Sequence, residues 1–171
     1  MPIRIHPISG DIVTCASEIA DASALWLRNG FNERHVTWHF GIRERYPYVD
    51  PQPWAAADDQ VIDLVPPDNQ LKYLYVFSNP ADGVGCNDTA EVAALVNRSL
   101  TTLVQLDVHR VAMIHIPLAA RQHGPAAEAD LESARAMVAA IREWDEANPN
   151  RISDVFLVDH DDAFAAVVPL A

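Results

Sequence analysis

The stretch that most limits what this chain can fold into is Val111 to Ile116, VAMIHI, with the loop and long helix that follow it. Nearly every residue of the run is apolar. It is long enough for a strand and too short for a helix standing alone. Such runs suit the central strand of a parallel sheet covered on both faces, because both sides of the pleat then need apolar residues. Pro117 removes a backbone donor and ends the ladder. Gly124-Pro125 then opens a helix, with the proline at or near its first position. Strand, short loop and helix N-terminus is the place where open α/β sheets tend to hold ligands.

The neighbouring segments repeat this alternation. Ile3, Ile5 and Ile8 predict a first strand ended by Ser9-Gly10-Asp11. Ile12 to Ala24 is apolar and alanine-rich, and periodicity leaves it open between a helix and a buried strand with a turn. Leu25 to Asp50 concentrates aromatic residues and histidines around an Asn29-Gly30 turn, and Tyr46 to Trp54 holds three prolines that exclude regular helix. Val61 to Val65 predicts a short strand closed by Pro66-Pro67-Asp68-Asn69. Leu71 to Phe77, LKYLYVF, is rich in β-preferring residues. After a loop over Asn79 to Asn87, Asp88 with Glu91 three residues on forms a capping box. The helix it opens runs to about Leu106. The helix after Gly124-Pro125 covers roughly Ala126 to Ala147, burying Leu131, Ala134, Val138 and Ile141, and Asn148-Pro149-Asn150 stops it. Ile152 to Val158 is a further strand, and Asp161 to Val167 a short terminal helix. This order implies crossovers onto a largely parallel sheet within one domain covering residues 1–171.

Composition narrows the partners. Twelve basic against 24 acidic residues give a net charge of −12, which opposes a nucleic-acid duplex or an anionic membrane as main partner. A small anion held by backbone N–H groups is a local matter and stays open. No apolar run approaches the roughly 20 residues that span a bilayer. The first residues, MPIRIHPISG, lack a signal-peptide pattern, and Cys15 and Cys86 are too isolated for a disulfide framework or a zinc cluster. A cytoplasmic protein without a cofactor is expected. The glycosylation-type triplets at Asn87 and Asn97 are then chance matches.

With the element order in hand, Leu71 to Phe164 resembles a macro domain, the ADP-ribose-binding α/β/α module. LKYLYVF, the capped helix ending in TTLVQLDVHR, the strand VAMIHIP, the long helix and FLVDHDDAF follow in the family's order. In the first half, Gly10-Asp11-Ile12 after a first strand is similar to the family's Gly-Asp-Ile. The resemblance implies a three-layer α/β/α sandwich with a mixed, largely parallel central sheet. It implies that Asp11 accepts from an adenine amino group, with Ile12 beside it, and that Phe164 packs on the adenine. It places the phosphates on the loop after the central strand, here Pro117 to Gly124, where only Gly124 is a glycine. Ala120, Arg121, His123 and Gly124 are the candidate contacts of that loop. The family's first phosphate loop has no glycine-rich counterpart; Ala20-Asp21-Ala22-Ser23 and Asn29-Gly30-Phe31 stand in its place, which makes Asp21 and Gly30 candidates. The lysine nucleophile of the branch that removes terminal ADP-ribose would fall near Asn79-Pro80, where there is none.

Other clusters have simpler readings. His35 and His39 would share a helical face as metal ligands can, but no third ligand completes a site, so no metal is expected. Asp58-Asp59 and Asp159 with Asp161 and Asp162 suit caps and solvated turns better than an acid–base pair. His115 suits a hydrogen-bonded core position. Three functions remain: binding of ADP-ribose or a related nucleotide without the family's usual catalysis, which leads; an ADP-ribosyl hydrolase in which Asp21 or His35 activates water; and a protein-interaction or homo-oligomerisation module meeting its partner through the Trp26 to Trp54 region.

Overall fold

The computed structural model describes residues 1–25, 45–46, 59–77, 85–122 and 124–168. Among the described residues six strands form one sheet: β1 (Arg4–Ser9), β2 (Ala22–Leu25), β3 (Gln60–Asp68), β4 (Leu71–Val76), β5 (Arg110–Ile114) and β6 (Asp154–Asp159). Their spatial order is β1-β6-β5-β2-β4-β3. Every neighbouring pair is parallel except β3 with β4. The helices described in full are α1 (Ile12–Ile19), α2 (Thr89–Val104), α3 (Ala126–Ala147) and α4 (Ala163–Val167), with a 3-10 turn over Ala119–Gln122.

β5 and β6 are apolar between their end residues because each face of the sheet has its own core. Val111 and Met113 of β5, with Val155 and Leu157 of β6, pack beneath α2, α3 and α4. Ala112, Phe156 and Val158, alternating with them, belong to the other core, together with Ile12, Val13 and Ala16 of α1. This is the three-layer α/β/α arrangement with a mixed, largely parallel sheet.

Ile12 to Ala24 resolves into helix and strand together. Asp11 caps α1 by accepting from the Val13 N–H at 2.8 Å, and Ala20-Asp21 turns the chain into β2. Asp88 caps α2 through the Glu91 N–H at 2.9 Å. Glu91 reaches back to the Asn87 N–H at 2.8 Å, one residue before the cap itself. β3 runs on through Pro66 and Pro67, beyond the expected stop at Val65, which an edge strand tolerates because its outer N–H groups need no partner. α3 has the expected bounds, although Leu131 and Val138 are only partly buried and Met137 and Trp144 lie deeper. The aromatic stretch between Leu25 and Tyr46, most of Tyr46 to Trp54, the histidine pair His35 and His39, Asp58, Gly30, His123 and most of the loop after Phe77 lie outside the described residues.

Candidate functional site

The parallel strands share one C-terminal edge, and the chain turns collected there form the candidate site. β1 ends beside β6, with Ser9 in register with Asp159. The Gly10 N–H donates to the Asp159 carbonyl at 2.9 Å. Asp11 follows directly, half-buried, at the start of α1. Its Oδ1 is engaged in the cap; Oδ2 has no hydrogen-bond partner among the described residues. Ile12 is fully buried. Its side chain belongs to the core that holds Ala112 and Phe156 rather than to a ligand surface, because α1 packs against β5 and β6.

After β6, Asp159 accepts from the Phe164 N–H at 3.2 Å and holds the acidic turn closed. Asp162 adopts a left-handed backbone, φ 56°, just before α4. Phe164 is also fully buried. Its ring meets His115 edge to face, with centroids 5.2 Å apart, so no face is presented for stacking on a base in this conformation.

His115 sits where β5 gives way to the loop. Its Nε2 lies 3.1 Å from the Asp130 carbonyl. A carbonyl can only accept, so Nε2 carries the proton. Burial pushes the imidazole pKa down, and the nearby Asp130 and Asp159 carboxylates only partly oppose this. His115 therefore serves as a largely neutral packing residue.

The loop expected to hold phosphates is built differently from a run of glycines. Leu118 forms a parallel bridge with Cys86. The Cys86 N–H donates to the Pro117 carbonyl at 2.9 Å and the Ala119 N–H to the Cys86 carbonyl at 2.8 Å. Such closeness requires glycine at position 85, whose φ is +141° and where a Cβ would lie 2.7 Å from the Pro117 carbonyl oxygen. Gly124, the glycine singled out by position, has an ordinary backbone and only the Ala120 carbonyl oxygen near its would-be Cβ, at 3.7 Å. Ala120 is exposed on the 3-10 turn. Arg121 is three-quarters buried, and its Nε donates to both carboxylate oxygens of Asp130, at 3.1 and 3.3 Å.

Asp21 lies elsewhere. It precedes β2, at the N-terminal edge of the sheet, where its Oδ2 accepts from the His109 and Arg110 N–H groups at 3.1 Å each. The strand separates it from the turns that follow β1, β5 and β6. The structure thus brings Asp11, Ala120, Arg121, Gly124 and Phe164 to one edge, keeps Ile12 and Phe164 in the core, and sets Asp21 apart. Asp130 and Gly85 escaped the sequence reading. A carboxylate on the buried stripe of α3, one turn before Ala134, is a legible sign that a cation awaits it. Gly85 carries no such sign, since its neighbours come from a distant loop. Among the described residues no group of three His, Cys, Asp or Glu is placed to hold a metal ion, and no helix is long and apolar enough to cross a membrane.

No protein-family model and no curated protein matches the chain. Solved structures do. The macrodomain of Trypanosoma brucei in complex with ADP-ribose aligns with a TM-score of 0.62 at 14% identity, covering 94% of this chain and 66% of that one. The macro domain of ganglioside induced differentiation associated protein 2 aligns with a TM-score of 0.65 at 10% identity, covering 98% of this chain and 83% of that one. A tomato leucine aminopeptidase variant also aligns, with a TM-score of 0.54 at 14% identity, over 93% of this chain but 33% of that one. The chain spans just under two thirds of the length of the trypanosomal structure, 66%. At such identities the likeness is one of architecture, and the architecture of this chain is the macrodomain fold.

Proposed function

We propose that this chain binds ADP-ribose or a related nucleotide along the C-terminal edge of its sheet, without the usual catalysis of the family it resembles. The observation that carries the reading is Asp11. It stands at the β1–α1 turn with one oxygen capping the helix and the other without a partner among the described residues. A carboxylate oxygen so held is an acceptor of fixed position, suited to an exocyclic amino group. The fold supports the same ligand class, since structures sharing it have been solved with ADP and with ADP-ribose. Fold alone does not decide activity, as the aminopeptidase, a third of which aligns with this chain, illustrates. The hydrolase reading loses one of its two candidate bases, because Asp21 is at the far edge and bonded to two backbone N–H groups.

Titration calorimetry and thermal melting with ADP-ribose test the proposal. At a ligand concentration of about 100 Kd the folded state gains about 2.7 kcal/mol, which for a domain of this size raises Tm by roughly 5–10 °C. Asp11→Asn keeps an acceptor for the cap but turns an amide donor toward the base. It should weaken ADP-ribose at least tenfold with little change in the unliganded Tm. The inosine analogue, with a carbonyl in place of the amino group, should bind the wild type more weakly than ADP-ribose does. Absence of heat and of any melting shift at millimolar ADP-ribose would end this reading.

A further inference from the structure

At the other end of the sheet one cation stands without an anion. Arg110 opens β5 at the N-terminal edge, partly buried, with its guanidinium carbon 5.2 Å from the centre of the Phe156 ring. Its Nε is closed off from solvent and has no hydrogen-bond partner. Among the described residues nothing accepts a hydrogen bond from the rest of its guanidinium either. Arg4, Arg45, Arg98 and Arg121, by contrast, each meet a carboxylate within 3.1 Å. The cause lies in how the nearby acids are used. Asp154 is in register with both Arg4 and Arg110, yet all its printed bonds come from elsewhere. Its Oδ1 accepts from Arg4 Nε at 2.9 Å and His6 Nε2 at 2.8 Å, and its Oδ2 from Arg4 Nη2 at 2.9 Å and the Ser153 hydroxyl at 2.7 Å. Asp21 turns its Oδ2 to the His109 and Arg110 backbone N–H groups. Phe156 supplies only a ring face, on which His6 also stacks, with centroids 4.7 Å apart. Such a face attracts a cation but does not replace the acceptors that its N–H groups lose on leaving water. A chain with twice as many acidic as basic residues had ample means to provide one.

We infer that Arg110 anchors a second ligand site, which takes a carboxylate monoanion at the N-terminal edge of β5, beside Phe156 and His6. The plane of the guanidinium is held against Phe156 with Nε inward, and the terminal nitrogens receive the two oxygens of the ligand, a match that a planar fork makes and an ammonium does not. The charge of the ligand follows from its surroundings. Arg4 and Asp154 neutralise each other, which leaves the single charge of Arg110 to be balanced. One negative charge does so, whereas a phosphate dianion would carry a second into a chain of net −12. The site is at the opposite end of β5 from the loop that carries Arg121, so it is independent of the nucleotide reading. The carboxylate belongs either to a free small acid or to the C-terminus of a peptide, and the probes below separate these sources.

The test follows the Nε–H signals of Arg110 and Arg4 by NMR on the nitrogen-labelled full chain. Acetate, N-acetylglycine and inorganic phosphate are titrated in turn at constant ionic strength, with chloride as the reference. N-acetylglycine presents its carboxylate as a peptide C-terminus does. The carboxylates should move the Arg110 signal along a saturating curve in the millimolar range while Arg4, already paired, stays still. Phosphate should bind at least threefold more weakly. N-acetylglycine binding tighter than acetate supports the site with a peptide terminus as its source; equal or weaker binding supports it with a free acid. Arg110→Gln should abolish the response, read then on the His6 ring, and leave ADP-ribose affinity as it was. An Arg110 signal that moves no further with carboxylate than with chloride overturns the inference, as does phosphate binding tighter than acetate or a response that survives Arg110→Gln. Failure of ADP-ribose to bind would leave it standing.

Discussion

Gly85 offers the sharpest test of how the site loop is built. Replacing it with alanine forces a side chain into a left-handed backbone, φ +141°, and sets its Cβ 2.7 Å from the Pro117 carbonyl oxygen and 3.0 Å from the Ala119 nitrogen. Those neighbours are backbone atoms and cannot rotate away. The dihedral strain costs roughly 1–3 kcal/mol and the overpacking a similar amount. Relief by opening the bridge would sacrifice the Cys86–Pro117 and Ala119–Cys86 hydrogen bonds, each worth about 1 kcal/mol. Alanine's smaller unfolded-state entropy returns only about 0.4–1 kcal/mol. The net expectation is a loss of about 2–5 kcal/mol, or a fall in Tm of roughly 5–20 °C at this chain length. Gly124→Ala is the control. Its backbone is unstrained and the nearest atom, at 3.7 Å, is in ordinary contact, so stability should stay within about 0.5 kcal/mol of wild type. Urea unfolding of both variants, read as midpoint shifts at constant slope, measures the difference. A Gly85→Ala protein melting within about 2 °C of wild type, a loss of at most about 1 kcal/mol, would refute the reasoning. So would a Gly124→Ala protein that loses as much.

Other outcomes can be checked with the same unfolding assays. Asp154 is buried, which by itself would raise its carboxyl pKa, but hydrogen bonds from Arg4, His6 and Ser153 outweigh this and hold it at about 2. Its contribution is complete above the ordinary carboxylate pKa near 4 and is lost as pH falls toward 2; Asp154→Asn should be less stable at neutral pH and lack that acid-dependent step. His115 titrates below the ordinary imidazole range because it is buried. The unfolded chain therefore takes up the proton first, and stability should decline as pH drops below about 6.5, a component that His115→Gln should not show. Asp145→Ala leaves the Ile3 N–H, now bonded at 2.7 Å, buried without its acceptor. A loss of roughly 1–3 kcal/mol is expected, with faster amide exchange at Ile3 as the local readout. Asp88→Ala removes the α2 cap and should cost about 1 kcal/mol, with helix content preserved by circular dichroism.

Much of this molecule is legible in the linear chain, because the signals are local. The capping residues Asp11 and Asp88, the proline and glycine before α3, and the apolar run of β5 each act within a turn or a strand. They set the element order, and the order brings Asp11 and the loop after β5 to one edge of the sheet. Asp21 shows where locality ends. Whether it sits at the top or the bottom of β2 depends on where α1 stops, and Ile19, Ala20 and Ala22 around that boundary carry no stop signal. Ile12 and Phe164 have the right neighbours in sequence, but their burial is decided by which side of the turn faces the sheet. The Arg121–Asp130 pair and the contact of Gly85 with Pro117 join segments that only packing brings together. The sequence by itself therefore determined the elements and their succession, through periodicity and hydrogen-bond capping. Only the tertiary structure decided which atoms at the sheet edge remain without partners and able to meet a ligand, since that depends on what every other element has already covered.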